Sequence, residues 1–460
     1  MNRPDALTLR AVVTLAYLVA VLVLGGASAA GFGANLFLQI AGAGLVAWTL
    51  WARTDAAAPP SGLRRFAIAL GVLAAVQFLP LPPALWRLLP GRETVAHGFE
   101  LLDLPVPWLT LSLAPWHSLA SLTWWIPALA LFVALRADGA PGTRPVILTI
   151  GAVAAISAVL GGMQRGSGVG YIYQITNYGE GPGFFANSNH QGSFLLTALA
   201  LWVGHMIARQ RSARSRRGPG WTGPEPLILG GVAVALLVGV LVSGSLACVA
   251  LLIPVCGGLA LIARPDWRIP LPLALLAGAL LLAAFTAFLL LGPIANDLTA
   301  KSSTAGISRQ EFLVTGSRIL ADFAPFGSGL GTFQELYRWY ETPALVGTTF
   351  VNHAHDDVLE LLIETGVFGL AAVVAFVWWF AGRAWQLWSG ARDHQIALAA
   401  SVAIGAELLH SLVDYPLRTA AMSSIMAVLC VLVVRPAEAQ PGSGRRRSDD
   451  PAAPRELVRI

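Results

Sequence analysis

Charge is scarce in this chain of 460 residues: 12% are Asp, Glu, Lys or Arg, while 56% are hydrophobic. A soluble domain carries about 25% charged residues, so a water-soluble globular fold is excluded. Lysine is nearly absent, with Lys301 alone among 30 basic residues. Cysteine is limited to Cys248, Cys256 and Cys430, all within apolar runs. That excludes a disulfide framework and reads as small buried hydrophobes. There is no internal repeat and no long low-complexity tract. The net charge of +5 invites a nucleic-acid reading, but the placement of the arginines has a plainer cause.

What the chain has is apolar runs of membrane-spanning length. Twelve spans are expected, at 11–30, 35–51, 65–80, 118–136, 145–163, 190–208, 227–244, 246–263, 269–292, 365–383, 395–414 and 419–434. The fold class is therefore all-α and polytopic, one integral membrane domain over residues 1–440, with a disordered cytoplasmic tail at 441–460. The Ala27-Ser28-Ala29 stretch resembles a signal-peptidase site, but the run before it is long enough to span, and we read it as a retained first helix. With the N-terminus inside, 22 basic residues fall on the cytoplasmic side and 8 on the other. The positive-inside rule then puts both termini in the cytoplasm. The run from Arg209 to Arg217 becomes a topology anchor against anionic lipid rather than a nucleic-acid site.

This topology puts the long irregular segments 80–117, 164–189 and 293–364 on the outer face, with the short turn 414–418. Trp86, Trp108, Trp116, Trp124 and Trp125 read as an interfacial aromatic belt. The segment 293–364 is a large outer loop carrying short helices. It holds Arg309 and Arg318 nine residues apart on one helix, then a glycine-rich turn from Pro325 to Gly331. His353-Ala-His355-Asp356-Asp357 follows and runs into an apolar helix bearing Glu360 and Glu364. Three readings compete for the histidines. They are metal ligands beside aspartates, a general base or acid, or part of a helix start whose aspartates are favoured by the macrodipole. Asn187, Asn189 and His190 cap the next inner helix or touch lipid. Asp414 and Arg418 are placed to pair across the last outer turn. Near-absence of charge in the spans argues against a transporter.

The segment from His353 to Leu370 resembles the signature of the O-antigen ligase and polymerase superfamily, a histidine followed by an apolar helix ending in Glu-Thr-Gly. Three further stretches agree in order: Gly183 to Phe194, Arg309 to Phe333, and His410-Ser-Leu-Val-Asp414-Tyr-Pro-Leu. The match spans roughly residues 150–430, and the combination is specific.

The resemblance implies a metal-independent glycosyltransferase of the bacterial inner membrane with no cofactor. Its donor is a glycan on undecaprenyl diphosphate. Its acceptor is a sugar hydroxyl on lipid A–core or on a lipid-linked oligosaccharide, and its active site is periplasmic. Ligase and polymerase share donor and residues. By the resemblance His355 is the base and Arg309 grips the diphosphate, with a fork that suits phosphate. Arg318, Arg165, Asn187, Asn189, His353, Asp356, Glu364, Asp414 and Arg418 are the candidate substrate-binding residues. The chain departs from the family pattern twice. Asp356 stands where Asn is usual, and Leu246 stands where the hairpin at Ser243-Gly244-Ser245 would carry an arginine.

Overall fold

Apolar runs in a bilayer must satisfy every backbone N–H and C=O within the segment, so they fold as helices. The computed structural model describes residues 8–28, 31–51, 61–215, 224–264, 309–343, 351–390 and 393–435, with positions 266 and 346. In chain order its helices are α1 (Leu9–Leu24), α2 (Phe32–Trp51), α3 (Ser61–Val76), α4 (Pro83–Trp86), α5 (Glu93–Leu101), α6 (Pro115–Thr123), α7 (Ile126–Leu135) and α8 (Thr143–Ser167). Then come α9 (Ser188–Ser215), α10 (Glu225–Ser243), α11 (Leu246–Ala263), α12 (Arg309–Phe323), α13 (Phe333–Tyr340), α14 (Asp357–Ser389), α15 (Gln395–His410) and α16 (Ala420–Val434). A 3₁₀ turn at Pro416–Arg418 joins the last two. The β structure among described residues is a short antiparallel pair, Pro80–Leu81 with Leu109–Thr110.

Counting α6 and α7 together as one run, Pro115–Leu135, seven described helical segments are long and apolar enough to cross a membrane, and α1, α15 and α16 are apolar but shorter. The all-helical polytopic class is as expected; the count of twelve is not reached by these alone. Of the remaining expected spans, 65–80 corresponds to α3, and 269–292 lies outside the described residues. Residues 293–308 and the tail 441–460 lie outside them too.

Helix α9 is the most buried candidate span and packs against α8, α10, α11 and α15. Small residues let these backbones approach. A Cβ on Gly192 would sit 2.9 Å from Cys248 Sγ, and one on Gly204 2.5 Å from Ala399 Cβ. Cys248 is buried as expected, whereas Cys256 is exposed on α11, and all three cysteines are free.

The helix ends sort by charge. At one end Arg10 donates to Asp138 O, Arg211 to Ile262 O, Arg383 to Val433 O and Arg435 to Pro141 O. The carbonyls of Ile262 and Val433 are left open in the last turns of their helices, and those of Asp138 and Pro141 lie in the α7–α8 turn. The opposite end gathers the tip of α1, the start of α9, the α10–α11 hairpin and the α15–α16 turn. There Ala186 N donates to Gly26 O, Ala421 N to Gly25 O and Gly181 N to Ser243 O.

Helix α14 breaks at Gly366, which has φ 59° and ψ −144°. A Cβ there would lie 2.0 Å from Pro325 O, so only glycine fits. The glycine-rich turn docks into this break. Val367 N donates to Pro325 O, Ser328 N to Ile363 O and Gly329 N to Glu364 O, all at 2.8–3.0 Å. Two stretches about 40 residues apart in sequence thus close on one another through backbone.

Candidate active site

The opposite end brings together the starts of α9 and α14, helix α12 and the turn after α15. Each is fixed locally. Asp356 caps α14, its Oδ1 accepting from Val358 N and Leu359 N at 2.9 Å. Burial raises its pKa, and those backbone bonds oppose the rise. Asn187 Oδ1 accepts from Asn189 N at 2.8 Å and caps α9. Asp357 N donates to Ser411 O, and Ser411 Oγ to Asp357 Oδ2, both at 2.9 Å. The start of α14 is thereby stapled to the α15–α16 turn.

His355 sits at the centre with φ 54°, a left-handed conformation that few non-glycine residues adopt and that clusters at functional sites. Its ring stacks on Phe312 of α12, centroids 5.1 Å apart at 15°, and meets Tyr415 edge-on at 4.9 Å. Its Nδ1 is buried without a hydrogen bond and lies 3.6 Å from Asp414 Oδ1. The side chain is 26% exposed, and Nε2 is its accessible nitrogen.

Asp414 is buried and surrounded by donors. Tyr415 N donates to Oδ1 at 2.8 Å, Asn189 Nδ2 donates to Oδ2, and His190 Nε2 lies 3.8 Å from Oδ1. Burial raises its pKa, but hydrogen bonding and charge from His190 and His355 outweigh burial and hold it well below the usual carboxylate range. Tyr415 is the hub: its ring lies 4.3 Å from that of His353 and 4.9 Å from those of His190 and His355. Burial, then the Asp414 charge, raises its phenol.

His353 belongs to a second cluster. Its Nδ1 lies 2.9 Å from Glu360 Oε1, and Ala354 N donates to Glu360 Oε2 at 2.8 Å. Arg418 Nη1 reaches Glu360 Oε1 at 3.0 Å and Glu364 Oε2 at 3.1 Å, with Nε 3.5 Å from Asp357 Oδ1. Burial alone would lower the guanidinium, but Glu360, Glu364 and Asp357 raise it above its usual range. Glu364 Oε1 also accepts from Gly331 N at 2.8 Å, tying the clamp to the glycine-rich turn. Arg418 thus pairs with the α14 carboxylates and not with Asp414, the partner the sequence suggested. Spacing explains this: residues 357, 360 and 364 share one helix face, which the 3₁₀ turn covers.

The arginines are less gathered. Arg309 opens α12 one turn before Phe312, and its side chain lies outside the described residues. Arg318 is exposed, about 120° around that helix from Phe312. Arg165, at the end of α8, donates from Nη1 to Val242 O at 3.4 Å. That places it at the α10–α11 hairpin, beside Gly244.

Sequence reading missed Tyr415 and Phe312, which wall the His355 ring, and Asp357 in the clamp. The aromatic inside His-x-x-x-Asp-Tyr-Pro was the available signal for Tyr415. Among the described residues no group of three His, Cys, Asp or Glu converges as metal ligands would; each histidine of the His-x-His pair faces its own carboxylate.

No curated protein matches the chain. Residues 231–374 match the family model described as O-antigen ligase, a stretch that holds Gly244, Arg309, His355, Glu364 and the Gly366 break. The four stretches meet at one end of the bundle, and part of the chain, residues 231–374, carries this likeness to the O-antigen ligase family model.

Proposed function

We propose that the chain transfers a glycan en bloc from undecaprenyl diphosphate to an acceptor sugar hydroxyl at the periplasmic face of a bacterial inner membrane, as an O-antigen ligase. The observation that carries this is the His355 ring, with Nδ1 against buried Asp414 and Nε2 accessible. With its proton on Nδ1, the imidazole presents a lone pair at Nε2 to the acceptor hydroxyl. The acceptor oxygen bonds to the donor's anomeric carbon as the bond to the diphosphate oxygen breaks. The hydroxyl proton passes to Nε2, and the electron pair leaves on undecaprenyl diphosphate. Asp414 stabilises the imidazolium that forms, as a carboxylate does behind a catalytic histidine.

Arg309 is the cation for the diphosphate. Arg165 supplies a second at the hairpin where Leu246 replaces the family's arginine. Arg318 is a more distant third. Asn187, Asn189, Asp356, Glu364 and Arg418 hold the site together. The arginines at the opposite end of the bundle support an outward-facing site and cytoplasmic termini.

His355→Ala is expected to abolish transfer while leaving insertion and folding intact; near-normal transfer would remove it as the base. Arg309→Lys should weaken donor use because the fork is lost. Transfer should survive EDTA; loss restored by Zn²⁺ would favour a metal site at the His-x-His pair. Polymerase is the alternative, and a deletion strain separates the two. Full-length chains left on the lipid carrier mark a lost ligase, and single repeat units mark a lost polymerase.

A further inference from the structure

Helix α13 has two working faces. Phe333, Tyr337 and Tyr340 lie on one, spaced i, i+4, i+7, and Tyr337 packs at 5.9 Å against Phe312, the residue that stacks on His355. Thr332, just before the helix, with Glu335, Leu336 and Trp339, lines a cleft of about 330 Å³ on the other. The far wall is the 80–117 segment, which contributes Trp86, Trp108 and Thr110.

Of the tryptophans expected in an interfacial belt, Trp86 does not belong to one. Trp86 is 1% exposed and donates from Nε1 to Thr110 O at 3.0 Å, so it is a floor. Trp108 and Trp339 are 65% and 52% exposed, and among the described residues neither indole N–H has a partner. Trp116, at 80% exposure, suits the belt. The wall is rigid. Arg92 is fully buried, lies 5.6 Å over both Trp86 and Phe323, and donates to Leu111 O at 2.7 Å. A preorganised site loses less on binding.

We propose that this cleft is the acceptor-glycan subsite of the transferase. Flat apolar indole faces with free N–H donors at the rim, and a half-exposed carboxylate at Glu335, match the alternating apolar and hydroxyl faces of a sugar. The cation lining is poor: no arginine is among the lining residues, Arg92 is buried behind the wall, and Arg338 is engaged with Glu335 at 3.2 Å. A diphosphate does not suit such a site, which assigns it to the acceptor rather than to the phosphate end of the donor. Helix α13 separates it from the Phe312–His355 stack by one helix diameter, about 10 Å. A short oligosaccharide spans that distance, so sugars bound here present a hydroxyl to Nε2. This rests on the transfer reading above.

The test uses the full chain in nanodiscs. One arm measures steady-state transfer with the acceptor and donor varied separately. The other measures polarisation of a fluorescently labelled oligosaccharide released by mild acid from the host's envelope glycolipid. Trp339→Ala should raise the acceptor KM about tenfold, leave kcat and donor KM within twofold, and weaken labelled-oligosaccharide binding in parallel. Trp339→Phe should restore most of both. The same binding should persist in His355→Ala, so failure of the catalytic reading leaves this arm readable. An unchanged acceptor KM in a folded Trp339→Ala protein overturns the proposal. A rise in donor KM alone overturns the acceptor assignment. A third arm adds spin-labelled phosphatidylglycerol. Loss of its immobilised fraction in Trp339→Ala with unchanged oligosaccharide binding makes the cleft a lipid contact and also overturns it.

Discussion

Asp414→Asn isolates the electrostatic part of the proposed mechanism. The amide is isosteric with the carboxylate. Its carbonyl can keep the bond from Tyr415 N and still face His355, while Asn189 turns its own amide to accept from the new NH₂. Geometry is preserved and the charge is lost. At 3.6 Å and an effective dielectric of about 20, a full imidazolium–carboxylate interaction is worth about 4–5 kcal/mol. If the proton is half transferred in the transition state, about 2 kcal/mol is lost, a drop in kcat of roughly 50-fold; full transfer raises this to about 2,000-fold. Neutral substrate hydroxyls do not sense the charge at distance, so acceptor KM should change little. The assay is steady-state transfer by purified protein in nanodiscs, with a thermal melt as folding control. A folded variant with kcat within threefold of the parent would refute the reasoning, as would a loss confined to acceptor KM.

Gly366→Ala forces a Cβ to 2.0 Å from Pro325 O at φ 59°, costing about 2–6 kcal/mol in strain and overlap together. Unfolding midpoint and transfer should fall in parallel, and an unaltered midpoint would show that the turn docks otherwise. Arg418→Gln leaves Glu360 and Glu364 buried beside no guanidinium and should cost about 3–5 kcal/mol. Adding Glu364→Gln should recover part of it in a double-mutant cycle, whereas strict additivity would deny the contact. Asp414 titrates below its unfolded value, so its stabilisation is full above about pH 4. It is lost as pH falls from there through the folded pKa. Melting of the parent between pH 5 and 3 should therefore drop more steeply than melting of Asp414→Asn; parallel curves would contradict the sign.

The helical class was legible because apolar runs and arginine placement report directly on bilayer burial. Asp356 was legible as a helix start from local chain chemistry, while His355 and the Glu-Thr-Gly ending were singled out by resemblance to a family signature. The Arg418 clamp was not, since residues 360 and 418 meet only through the fold. Nor was the role of Gly366, because the oxygen that forbids a side chain there belongs to Pro325, distant in sequence. The tryptophans of the 80–117 segment were read as one class, and burial divides them into a floor, a rim and a belt.

Helix α14 has 33 residues, about 50 Å of α-helix, against a hydrocarbon core of about 30 Å. The break at Gly366 resolves the excess by working as an articulation. Beyond it lies rod enough to cross unaided; before it, the turn bearing Glu360 and Glu364 is fastened to neighbouring backbone instead of following the rod. A thinner or thicker membrane can then tilt the crossing portion without dragging the carboxylates or the histidine loop with it. Turnover should accordingly be nearly indifferent to lipid chain length, an economy for the transfer proposed above, whose donor and product would be lipids of the same bilayer.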